Sequence, residues 1–206
     1  MSATKLFNKL KAFVTILLLL LHLRATAQIV IPKVSNETIT IDGFFQEAVW
    51  SSAFKINLAD SATLYLAQTK EDLLIGVHRK VGFTSYTDVF IKTNQLLNLH
   101  ASMQLGERIL PNDNSWNDES PKWNWGNNHL WAANKVKLKK DAIESLPFEK
   151  QIETYQGQEF KISKAKLSHR IYLLVLVRSF TNDKTKFTYP TKANLKSYRS
   201  WLKISL

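Results

Sequence analysis

From residue 38 onward, apolar positions recur mostly every second residue, or gather in short β-branched and aromatic runs between turn signals. Both patterns predict strands rather than helices. Thr38 to Ile41 alternates and runs into Asp42-Gly43, a turn. Ala62 to Gln68 and Leu73 to Lys80 predict a hairpin closed by Thr69 to Asp72, and Tyr86 to Thr93 with Leu97 to Leu105 predict a second pair. Leu130 to Leu138 and Gln158 to Ser163 read as further strands, and Ser200 to Leu206 as a last alternating one. Ile171 to Val177 is apolar on both faces, the mark of a strand in the middle of a sheet. Helix signals are confined to Phe45 to Ala53 and to Asp141 to Tyr155, where Pro147 interrupts. About nine short strands with turns between them predict an all-β fold, an antiparallel β-sandwich with jelly-roll-like or immunoglobulin-like layers and one or two short helices. Ile171, Leu173, Val175 and Val177 are expected in its core, with Leu174 and Leu176 covered on the other side.

Glu107 to Asn128 departs from this pattern, with no periodic segment, and a loop of that length in a compact domain is commonly functional. It contains Trp116, Trp123 and Trp125, with Trp131 just beyond, among Asn112, Asn114, Asn117, Asn124, Asn127 and Asn128. Flat aromatic faces beside amides suit sugar rings, which need apolar walls and a few polar partners. Trp116, Trp123, Trp125, Trp131, Asn124 and Asn127 are therefore the candidate sugar-binding residues; the competing reading is a lid over the sandwich. Trp123 and Trp125 share one face if extended. Asp113, Asn117, Asp118 and Glu119 supply oxygen ligands of the type a structural calcium takes, in an order that departs from the EF-hand loop.

Composition changes the picture at the N-terminus. Lys5, Lys9 and Lys11 precede an apolar run from Ala12 to Leu21, and Ala25-Thr26-Ala27 fits a cleavage site, so residues 1–27 read as a secretory signal peptide and 28–206 as one exported domain. The apolar run is about half the length of a spanning helix. The chain contains no cysteine, which excludes disulfides, cysteine-zinc sites and cysteine nucleophiles. Its formal charge of +11 becomes +7 without the four basic residues of the signal. Residues 28–120 carry 7 basic and 11 acidic residues, whereas residues 121–206 carry 17 and 6. Such a basic half attracts anionic partners, an acidic polysaccharide among them, and no nucleic-acid motif accompanies it.

Ile41-Asp42-Gly43, with Glu47 four residues after the glycine and Trp50 three further on, resembles the opening of the family 9 carbohydrate-binding-module-like domains. Leu64 to Ala67, Leu73 to Val77, Tyr86 to Ile91 and Glu159 to Ser163 with Leu167 keep that family's order, with Ser163 where it has proline. The resemblance covers nearly all of residues 28–206. It implies an antiparallel sandwich that binds polysaccharide or oligosaccharide, and scaffold roles for Asp42, Gly43, Glu47, Trp50 and Glu159. In some members it also implies structural calcium; no other cofactor is expected. The family's pair of ligand tryptophans has no motif that fixes it here.

Enzyme chemistry is not signalled. His78, His100, His129 and His169 are widely spaced without a metal-binding motif, and no G-x-S-x-G elbow occurs. Related sandwiches bind haem, which here would need Met103 and a histidine; the alternation of Leu97, Leu99 and Ala101 predicts Met103 as a core residue instead. A non-catalytic sugar-binding protein of the periplasm or cell exterior is the leading expectation. A haem carrier and a structural envelope protein are the alternatives.

Overall fold

The computed structural model describes residues 29–35, 39–59, 62–79, 85–112, 117, 122–126, 128–180 and 186–206. The expected signal segment lies outside them. Thirteen strands are described: β1 (Ile29–Val30), β2 (Phe54–Ala59), β3 (Ala62–Gln68), β4 (Asp72–Arg79), β5 (Ser85–Lys92), β6 (Leu96–Ala101), β7 (Leu105–Leu110), β8 (Asn124–Trp125), β9 (Trp131–Ala133), β10 (Gly157–Ser163), β11 (Arg170–Ser179), β12 (Lys186–Tyr189) and β13 (Leu202–Ser205). Two short helices, α1 (Ala48–Ser52) and α2 (Phe148–Gln151), complete the regular structure.

The strands form two sheets, as the alternation predicts. The larger runs β1-β13-β11-β5-β6-β7-β8, with β12 also on β11; the smaller runs β2-β3-β4-β10-β9. Neighbours are antiparallel except β1, which pairs parallel to β13. Alternate residues of both sheets meet in one core: Leu64, Leu66, Ile75 and Phe160 from the smaller sheet face Val89, Ile91, Leu99, Leu173 and Val175 from the larger. This is the all-β sandwich expected from the sequence. Ile171 through Val177 is buried except for Tyr172, and Leu174 and Leu176 on the outer side are fully covered. Their cover is the 193–201 segment, in which Ala193, Leu195, Tyr198 and Trp201 pack over Phe90 and Leu174.

Four expectations need correction. Leu97 to Leu105 is not one strand: β6 stops at Ala101, and Ser102 to Gln104 turns the chain, with the Gln104 N–H donating to Ser102 Oγ at 3.2 Å. Serine hydroxyls stabilise such turns by replacing a backbone partner. Met103, predicted in the core, sits on that turn at 39% exposure. The supposed loop from Glu107 begins inside β7 and contains β8, so the irregular connection is shorter than its composition suggests. Finally, Leu130 to Leu138 yields only three strand residues. Leu130 has a φ of 61°, and at Asn134 the N–H still donates to the Glu159 carbonyl while the side chain takes the other two bonds, accepting from the Glu159 N–H and donating to the Gly157 carbonyl.

Candidate functional site

On β5, β6 and β7 the residues between core positions point to the outer face of the larger sheet. Asp88 pairs with His100, His100 with Gly106, and Gly106 with Trp125, so one row crosses four strands. Asp88 Oδ1 lies 2.8 Å from His100 Nδ1, and both side chains are largely covered. The His100 ring meets Trp123 and Trp125 edge-on at 5.4 and 5.6 Å, and leans on Tyr86 at 5.3 Å. Trp123 and Trp125 stack on each other at 5.2 Å with 26° between planes. The guanidinium of Arg108, buried on the same face, lies 4.2 Å from the Trp123 ring centre, within cation–π range.

Gly106 makes this packing feasible. A Cβ there would fall 2.6 Å from Trp125 Cε3 and 3.2 Å from Trp123 Cε3, so only glycine lets the indole stack lie on the strand. The outcome is a fixed aromatic ledge. Trp123 is half-buried among Arg108, His100 and its partner indole, whereas Trp125 remains 49% exposed. Asn124 is exposed between them. The Asp88–His100 pair orients the imidazole. The pair thereby holds the ring against both indoles.

The other proposed residues are divided. Trp131 is 5% exposed and stacks on Phe160 in the core, so its face is closed to a sugar. Trp116, Asn127, Asp113, Asp118 and Glu119 lie outside the described residues, and Asn117 is exposed. Among the described residues no three His, Cys, Asp or Glu side chains gather around a metal-sized point, and no helix is long and apolar enough to cross a membrane. For the haem alternative, Met103 sits on the turn between β6 and β7 of the larger sheet, whereas His78 lies on β4 of the smaller one. The sequence reading missed Asp88, His100, Gly106 and Arg108. Its only usable hint was a glycine within an apolar segment, which signals close approach of another group.

The opening motif is a separate construction on the outer face of the smaller sheet, over β3, β4 and β10. Gly43 has a φ of 90°, open to glycine at no steric cost, and the Asp42 and Gly43 N–H groups both donate to Glu159 Oε2, at 3.0 and 2.7 Å. Glu159 is fully buried. Burial pushes its carboxyl up to about 7, against the Gly43 N–H bond that favours the ionised form; the charges of Glu47 and Asp42 push it further up. Glu47 stands at the N-cap of α1 and accepts from the Thr40 N–H at 3.1 Å. Trp50 is 2% exposed and packs with Ala67 and Leu74 beneath Phe45, whose φ of 54° lets its ring lie over Gly76.

No family model matches the chain, and no curated protein matches it. Among solved structures, the chain is similar to a family 9 carbohydrate-binding module from Caldicellulosiruptor kristjanssonii in complex with cellotriose, at 12% identity over 85% of this chain and 92% of that one, with a TM-score of 0.44.

Proposed function

We propose that this is an exported, non-catalytic carbohydrate-binding protein whose sugar platform is the exposed face of Trp125. The observation that carries the reading is the support beneath that indole. Trp123, His100 and Gly106 hold it, yet half of it faces solvent. A large apolar ring kept in the open at a structural cost is a binding surface more readily than a core element. Sugar C–H groups stack on such a ring, while Asn124 and the amides of the neighbouring loop meet hydroxyls. One platform and a few hydrogen bonds give weak affinity, on the order of 0.1 mM. Its role is recognition of polysaccharide, alongside enzymes that degrade it.

A glycan titration of the wild-type protein is expected to change tryptophan fluorescence. Trp125→Ala should abolish the response while costing less than about 1.5 kcal/mol of stability, because half of the ring is already exposed. Gly106→Ala leaves both indoles in the chain but displaces them, and should weaken binding at least about ten-fold. The reading fails if a panel of neutral and acidic glycans leaves the wild-type spectrum unchanged, or if Trp125→Ala binds as tightly as wild type. Export is checked separately: the N-terminus of protein recovered outside the cytoplasm should begin at Gln28.

A further inference from the structure

The outer face of the larger sheet bears a second group of side chains, away from Trp125. Lys203 on β13 is opposite Tyr172 on β11, and Tyr172 is opposite Lys92 on β5. Their neighbours Leu202, Ile204, Ile171, Leu173 and Ile91 enter the core, so the three form a row on the outside. The two lysines are roughly 10 Å apart at the backbone, two strand spacings, with a tyrosine between them. Tyr198 meets Tyr172 edge-on at 5.3 Å, and the Lys92 ammonium lies 5.7 Å from the Tyr198 ring centre. Arg199 follows in the same turn, exposed.

Charge here is one-sided. Residues 186–206 contain five basic residues and no acidic one. Lys92, Arg199 and Lys203 meet no carboxylate among the described ion pairs. Uncompensated positive charge within a Debye length of two tyrosine rings suits a ring-shaped anion. The Lys92 row and the Asp88 row are four residues apart along β5, about 13 Å, and Trp125 lies three strands further across, so the backbone of Lys92 is roughly 20 Å from that of Trp125. The 193–201 segment fills the sheet between them.

We propose that Lys92, Tyr172, Tyr198, Arg199 and Lys203 form a subsite for an acidic sugar residue, a uronate or a sulfate ester, on a glycan that also reaches the Trp125 platform. The proposal rests on the carbohydrate reading of that platform and adds the class of glycan. The tyrosines supply apolar edges to the ring, and the three cations bracket its anionic group. Charge complementarity calls for a polyanion, and the proposed sugar platform on the same outer face of the sheet makes that polyanion a glycan.

The test compares polygalacturonate with fully methyl-esterified pectin, the same backbone without charge. Wild-type protein should bind polygalacturonate about ten-fold more tightly, a margin lost by 0.5 M salt. Lys92→Gln with Arg199→Gln and Lys203→Gln should remove that margin, leaving the melting temperature and the fluorescence response to the esterified polymer unchanged. Lys92→Arg with Lys203→Arg should keep it. Equal affinity for the two polymers overturns the proposal, as does a triple variant that binds polygalacturonate like wild type; an intact Trp125 response would still uphold the platform. Phosphatidylglycerol vesicles captured through the same three residues, with polygalacturonate ignored, would also overturn it in favour of a lipid surface. Failure of both polymers to bind at all overturns the proposal, while the platform reading stands or falls with the wider glycan panel.

Discussion

Trp50→Ala is expected to destabilise the protein by about 3–5 kcal/mol, the range for large aromatic truncations in cores. The side chain is 2% exposed, and the cavity it leaves would be walled by Val49, Ala53, Ala67 and Leu74. Phe45, 5.1 Å away, would lose the ring that supports its unfavourable backbone conformation. No hydrogen bond to the indole Nε1 is described, so the loss is one of packing rather than of a polar contact. Thermal melts should show a fall on the order of 10 °C or more. Because Trp50 packs on the smaller sheet and Trp125 on the larger, the glycan response should persist below the new melting point. An unchanged melt combined with lost glycan binding would reverse the assignment and make Trp50 a ligand residue.

The second large effect is a pH dependence centred on Glu159. Its folded carboxyl titrates at about 7 against an ordinary value near 4.5. Between those values the folded chain holds a proton that the unfolded chain has released, so stability falls as pH rises through this window and levels off above it. The full shift corresponds to roughly 3 kcal/mol at most. Asp42 and Glu47 are the charged groups set against it, and both raise its value. His78 works in the opposite sense: burial, aided by Arg79, lowers its pKa, so its contribution is lost as pH falls below the ordinary histidine value. Comparison with Glu159→Gln isolates the carboxyl. The amide keeps an oxygen for the Asp42 and Gly43 N–H groups without a charge, so the variant should match or exceed wild type at pH 8 and lack the decline between pH 5 and 8. A variant whose melting temperature tracks wild type across that range would remove Glu159 as the cause.

What could be read from the sequence depended on whether the signal was local. Alternation is local, and it gave β3, β4, β5, β10 and β11 with bounds close to those observed. The Ile41-Asp42-Gly43 turn and Trp50 also carry their signal within a few residues, whereas Glu159 is tied to that turn only through a contact 116 residues away. Strand β7 escaped notice because Glu107 and Arg108 are adjacent charges that are nonetheless buried, one bridged to Lys166 at 2.8 Å and the other under Trp123. Neither contact is written near those residues in the chain. The site shares that difficulty. Trp123 and Trp125 were visible as aromatic density, but Asp88, His100 and Gly106 become their neighbours only through the register of three hairpin pairings. Trp131 shows the converse, since its surroundings looked like a ligand loop while its pairing with Ile162 turned it into the core.

The pairing of β8 with Gly106 and Glu107 also bears on how the molecule stays apart from its own copies. A strand at the border of a sheet offers unsatisfied amides to any passing chain, and natural proteins shield such borders with short, bulky or charged cover. Two residues of β8, carrying the indole ledge, occupy part of the free side of β7. The next stretch of that side is Arg108 to Leu110, where Ile109 is 52% exposed. On the proposed function, recognition and self-avoidance rest on the same few side chains. On that reading, loss of the ligand would not free the tryptophans to change, because removing β8 would expose Gly106 and Glu107 on β7 to strand addition.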